Sequence, residues 1–145
     1  MKSLLSMSLA VALVAAGSLA LAAELKSGLE PGAASGAFDV TKCAGAVDDG
    51  VKVGAQLCYR CKYGARPMVM IFTRTQNEQV VNLAKSLDKA VAANEAKQFK
   101  AFVNLLGSDR EALEASAKSL GTKISLGYVP VVVPVEFENG PDNYG

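Results

Sequence analysis

From residue 37 onward the chain alternates short apolar runs with longer amphipathic stretches. Ala37-Phe38-Asp39-Val40-Thr41 switches between apolar and polar residues with the period of a strand. Gly45, Asp48-Asp49-Gly50 and Gly54 then punctuate the chain as turns, and Val51-Lys52-Val53 is predicted as the second arm of a hairpin. Pro67 to Thr73 is continuously apolar, as a strand covered on both faces would be. Thr75-Gln76-Asn77-Glu78 fits a capping box, and Val80, Leu83, Ala84, Leu87 and Val91 fall on one helical stripe ending near Asn94. Phe99 to Leu106 is a second apolar strand. Ser108-Asp109-Arg110-Glu111 fits a second capping box, Ala112, Leu113, Ala117 and Leu120 form the helix face, and Gly121 is the expected residue after the helix. Val129 to Val135 is a third β-rich run, whose Pro130 and Pro134 belong at a sheet edge or at strand ends. The order is β-α-β-α-β. Right-handed crossovers turn such an order into an α/β fold with a parallel sheet.

The amino terminus changes the compartment. Lys2 is followed by an apolar run from Leu4 to Leu21, interrupted only by Ser and Gly, and Ala20-Leu21-Ala22 is a small-x-small cleavage site. Residues 1–23 are therefore expected to be a signal peptide, with export to the periplasm or the medium and no stable membrane insertion once it is removed. Residues 24–36 are rich in Gly, Ala and Ser and are expected to be a flexible mature N-terminus. Residues 37–145 form one domain.

With Lys2 gone the basic residues fall from 15 to 14 against 14 acids, so the mature chain is formally neutral. No basic field exists to attract nucleic acid. The chain has no His. That removes Cys-His and Ser-His-Asp nucleophiles, His-ligated metals and the C-x-x-C-H haem attachment. Three cysteines remain, Cys43, Cys58 and Cys61, and an exported chain can keep a disulfide. No cofactor is expected.

The reactive side chains cluster in Cys58-Tyr59-Arg60-Cys61-Lys62-Tyr63-Gly64-Ala65-Arg66-Pro67. Three readings of the C-x-x-C stay open. As a structural bridge it closes a short loop worth roughly 2 kcal/mol, against about 3 for joining Cys43 to Cys58. As a redox couple it keeps its sulfurs adjacent after reduction, and Arg60, Lys62 and Arg66 favour thiolate. As a metal knuckle with Cys43 it falls short of the four ligands of a closed zinc site. Cys43 is expected to be a spare thiol, and Tyr59 and Tyr63 to be packing residues with wet hydroxyls. Glu78 is expected to be a cap. Arg60 beside the cysteines and Arg74 at the end of the first apolar strand are the candidate binding residues.

In order, Glu30-Pro31-Gly32, Phe38-Asp39-Val40-Thr41 with Gly45, Pro67 to Arg74, Phe99 to Gly107, Tyr128 to Val135 and Asn143-Tyr144-Gly145 resemble the thioredoxin-like superfamily. The likeness is to its peroxiredoxin-like and cytochrome-maturation branch. The resemblance implies an N-terminal hairpin before the β-α-β-α-β core, with Pro67 to Thr73 as a central strand. It also implies further C-terminal strands and a helix, which this chain is expected to lack. The family's reactive cysteine follows that central strand, where this chain reads Thr73-Arg74-Thr75-Gln76-Asn77-Glu78. Cys58 and Cys61 precede the strand instead. Two functions follow as expectations. One is an exported thiol–disulfide protein acting through Cys58 and Cys61 on an unknown protein or thiol substrate. The other is a non-catalytic binding module in which the pair is a staple.

Overall fold

A computed structural model describes residues 28–141 and residue 144. The expected signal peptide lies outside the described residues. The elements are β1 (Val40–Ala44), β2 (Gln56–Leu57), α1 (Tyr59–Tyr63), β3 (Met68–Thr73), α2 (Glu78–Ala93), a 3-10 turn (Glu95–Lys97), β4 (Lys100–Leu105), α3 (Arg110–Ile124) and β5 (Val131–Pro134). The fold is α/β, with one mixed sheet in the order β2-β1-β5-β4-β3. β3, β4 and β5 are mutually parallel, while β1 runs antiparallel to both β5 and β2. The expected parallel sheet is thus the three-stranded part, and the N-terminal hairpin adds two strands of the other sense.

Ala84 and Val91 of α2 share a core with Ala117, Leu120 and Ile124 of α3 and with Ala101, Val103 and Leu105 of β4. Both long helices therefore lie on one face, as successive crossovers of one hand require. The opposite face carries a second core of Phe38, Val40, Tyr59, Tyr63, Phe102 and Val132. Period-two alternation sorts the strands: Phe102 turns to the second core while Ala101 and Val103 turn to the first.

Several sequence expectations change. The second arm of the hairpin is Gln56–Leu57, not Val51–Val53, because Val51 is spent in the loop that folds around Lys42. Met68–Thr73 is parallel as expected but not central. It is an edge strand, half-buried, with Val69 37% exposed, and pairs with β4 alone among the described residues. β5 is the middle strand and is fully buried, so its prolines mark strand ends and not an edge.

The caps shift too. Asn77, not Thr75, caps α2 by accepting the Val80 N–H at 3.0 Å, and Asp109, not Ser108, caps α3 through the Ala112 N–H at 3.0 Å. Gly121 lies inside α3, which runs to Ile124 and is capped by Ser125. A Cβ at Gly121 would stand 2.2 Å from that of Ala44, so the missing side chain is what lets α3 lie on β1. Asp88 of α2 holds the entry to β5, accepting N–H bonds from Gly127 at 3.2 Å, Tyr128 at 2.8 Å and Val129 at 2.9 Å. No described helix is long and apolar enough to cross a membrane.

Candidate functional site

The cysteines sit on α1, a helix of five residues. A helix so short has no stability of its own, so its neighbours must hold it. Cys58 is the N-cap, in extended backbone, and its Sγ accepts the Cys61 N–H at 3.0 Å. At the other end Gly64 turns the chain with φ 62°, and its N–H reaches the Arg60 carbonyl at 3.0 Å. The Arg66 guanidinium donates to the carbonyls of Lys62 and Tyr63 at 3.1 and 3.2 Å and to Gln98 Oε1 at 3.1 Å.

Tyr59 and Tyr63 anchor the helix to the sheet. Tyr59 is 0% exposed and stacks on Phe102 with ring centroids 5.8 Å apart, while Tyr63 meets the same ring edge-on at 6.1 Å. The expectation of packing residues holds, but the Tyr59 hydroxyl is not wet. It donates to Asp49 Oδ2. Asp49 Oδ1 in turn accepts from Lys42 Nζ at 2.6 Å and from the Val51 N–H at 2.8 Å. Lys42, 1% exposed, also donates to the carbonyls of Ala46 and Val51, each at 2.8 Å. An ammonium has three N–H donors, and here each has an acceptor. Burial, then the hydrogen bond and charge of Asp49, raise the pKa of Tyr59 far above its ordinary value. Burial and then the Asp49 charge do the same to Tyr63. Both phenols stay neutral throughout the physiological range.

A disulfide joins Cys58 to Cys61, with Cα atoms 5.2 Å apart. Cys61 is exposed and Cys58 half-buried. Cys58 caps α1 and Cys61 lies within it, whereas the amino end of α2 is capped by Asn77. Arg60 donates to Ser35 Oγ at 3.0 Å, which ties the cysteine helix to the N-terminal segment. Arg74 is exposed after β3, in a turn where Thr73 Oγ1 donates to the Thr75 carbonyl at 2.8 Å. Among the described residues no hydrogen bond or ion pair joins Arg74 to α1.

Cys43 is a free thiol, 3% exposed, in the core under α3. The rings of α1 lie in the core of the other face, so the sheet separates Cys43 from the pair. Cys43 is unpaired and lies in a different core from the rings of α1. Desolvation, with Glu114 next, pushes its pKa up to about 11. Among the described residues no three His, Cys, Asp or Glu side chains are grouped to hold a metal.

A cleft of about 700 Å³ borders the carboxyl half of α1, with Asp48, Lys62, Tyr63, Arg66, Glu95 and Lys100 among its lining. Sequence reading missed Lys42 and Asp49. One signal was present: Lys42 occupies an inward register position, two residues after the buried Val40. A charge at such a position needs a buried partner.

The molecule is thus an α/β protein with a mixed five-stranded sheet and a C-x-x-C disulfide on a short helix ahead of a parallel strand, an arrangement compatible with a thioredoxin-like fold. No family model matches the chain, and neither a curated protein nor a solved structure matches it.

Proposed function

We propose that this is an exported thioredoxin-like protein that exchanges electrons with a protein or small-molecule thiol through Cys58 and Cys61. The observation that carries the reading is the placement of the disulfide. One cysteine is exposed, the other caps the helix, and the helix rests on a buried, hydrogen-bonded platform. A staple needs no such support, whereas a couple that must re-form does.

The local geometry favours one direction of attack. An incoming thiolate meets the exposed Cys61 sulfur and forms a mixed disulfide there, and the Cys58–Cys61 bond breaks. Cys58 leaves with the electron pair, and the Cys61 N–H already bonded to it stabilises the thiolate. A second partner thiol then attacks its own sulfur in the mixed disulfide and releases Cys61. The partner dithiol becomes a disulfide, and two electrons and two protons reach the pair. Arg60, beside Cys61, is proposed to contact an acidic partner, and Arg74 to serve the same partner's far side.

The test is a redox titration followed by peptide mapping of thiol state. The reading expects the folded protein to be reduced reversibly above about −300 mV, and a pair that stays oxidised below that value belongs with structural disulfides. A Cys58→Ser variant is expected to trap a small disulfide reagent on Cys61. Trapping only on Cys58 in the Cys61→Ser variant would reverse the assignment.

A second reading has its own support. The corner between β3 and α2 holds Thr73 to Asn77 and no sulfur, which suits a non-catalytic binding module with Cys58–Cys61 as a staple. Under that reading Cys58→Ser loses stability and no reductase activity is there to lose.

A further inference from the structure

We infer that the hydrogen-bonded chain Tyr59–Asp49–Lys42 is a positioning device that sets the reduction potential of the Cys58–Cys61 pair. The inference rests on the redox reading above and extends it to residues that never touch a substrate.

Reduction by an external dithiol breaks the Cys58–Cys61 bond, oxidises that dithiol to its disulfide, and places two electrons and two protons on the cysteines. How readily the bond re-forms depends on how close the two sulfurs stay. The covalent bridge no longer holds the first turn of α1, and a helix of five residues does not hold itself. Three contacts remain. The Cys61 N–H lies 3.0 Å from the Cys58 sulfur. The Tyr59 ring stays stacked on Phe102. The Tyr59 hydroxyl stays on Asp49, which Lys42 fixes at 2.6 Å. Tyr59 immediately follows Cys58 in the chain, so its ring and hydroxyl anchor the residue next to the first sulfur. Its acceptor is itself pinned, because Lys42 is 1% exposed and bonds two loop carbonyls as well.

The sign follows from which redox form can relax. Without the hydroxyl, both forms lose a hydrogen bond. The oxidised form is constrained by its bridge and bears the whole loss. The reduced form is free to unwind its first turn and recovers part of it as chain entropy. The reduced form is therefore penalised less, the sulfurs spend less time adjacent, and the disulfide becomes easier to reduce. A purely structural contact would penalise both forms alike and leave the potential where it was.

The test compares the wild type with Tyr59→Phe, which keeps the ring and its stacking and removes only the hydroxyl. Each protein is equilibrated in reduced and oxidised dithiothreitol, and the thiols are trapped by alkylation and counted by mass spectrometry. Circular dichroism shows that each form is folded. The equilibrium constant for closing the disulfide is expected to fall about tenfold, a shift of about 30 mV to less negative potential. Asp49→Asn is expected to move the potential in the same direction, and it decides the question if Tyr59→Phe does not fold. Ile124→Val, in the core of the opposite face, weakens the fold without touching α1 and is expected to leave the potential unmoved. A wild type that titrates normally, with Tyr59→Phe and Asp49→Asn at the same potential, would overturn the inference alone. A wild type whose pair is reduced only as the protein unfolds would overturn the redox reading and this inference with it.

Discussion

Lys42 carries a positive charge into the sheet, and what makes that tolerable is complete pairing. All three N–H groups have acceptors, and the one carboxylate among them also takes Tyr59 and the Val51 N–H. Removing one member strands the others. Lys42→Met leaves Asp49, whose side chain is 12% exposed, without its counter-charge and is expected to cost about 3 kcal/mol in urea unfolding, the low end for a broken buried pair because one partner keeps some solvent. Lys42→Met combined with Asp49→Leu is expected to recover only part of that loss, because two apolar side chains replace the charge pair but the Tyr59 hydroxyl and the Val51 N–H lose their acceptor. If the double variant is as unstable as the single, the cluster matters through its loop hydrogen bonds and not through charge pairing. Cys43 supplies a different test, in pH. Its thiol stays protonated in the fold up to about pH 11, whereas the unfolded thiol ionises near 9. The unfolded state then binds fewer protons, so stability is fully present below pH 9 and falls as pH rises toward 11, by roughly 3 kcal/mol. Cys43→Ala is expected to flatten that stretch of the stability profile; an unchanged slope would place the alkaline loss on Tyr59 and Tyr63. At this scale the sequence showed the cysteines and the tyrosines but hid their partners. Asp49 stands in an Asp-Asp-Gly turn signal, and nothing local distinguishes a turn aspartate from one folded back onto a strand lysine.

Between elements, the tightest approach is α3 on β1. Gly121 lies within α3, at the start of its last turn, where alanine would be favoured by up to about 1 kcal/mol on propensity alone. The 2.2 Å approach to Ala44 reverses that preference, since no flexible side chain is there to yield. Gly121→Ala is expected to destabilise by about 1–3 kcal/mol, as overpacking does. Ala44→Gly in the same chain is expected to restore part of the loss. A neutral or stabilising Gly121→Ala would mean that α3 slides on the sheet at little cost. The same glycine shows how far elements could be read in advance. Helix periodicity placed α2 and α3 correctly, because each buries one stripe and that stripe is written in the local sequence. Their boundaries moved by one to four residues, because Thr75 competes with Asn77 for the cap, and a glycine chosen for packing looks like a glycine chosen to end a helix. The hairpin moved further. Val51 and Val53 have strand-like side chains, but the Val51 N–H and carbonyl serve Asp49 and Lys42, and only Gln56–Leu57 is left to pair with β1.

Across the whole molecule, the order of strands along the chain was legible and the order across the sheet was not. An apolar run such as Met68–Thr73 looks the same whether it has neighbours on both sides or only one, since side-chain pattern reports the faces of a sheet and not its edges. In the structure its faces are half-covered, by α2 and Ile71's core on one side and by Phe72's aromatic cluster on the other. Along its free side the backbone of a six-residue strand has no partner among the described residues. Val69 on this strand is 37% exposed, and Leu83 of α2 is 49% exposed although it belongs to that helix's apolar stripe. Unpaired N–H and carbonyl groups on a strand of this length, with apolar side chains nearby in sequence, template pairing with another chain. The purified chain is therefore expected to self-associate as its concentration rises. Val69→Lys puts a charge on that edge strand, where natural sheets use lysine to block such pairing. It is expected to lower the apparent mass in light scattering at matched concentration while leaving the circular dichroism spectrum unchanged. Equal association by wild type and Val69→Lys would move the contact elsewhere. A wild type that stays monomeric would mean that the edge is covered within the chain.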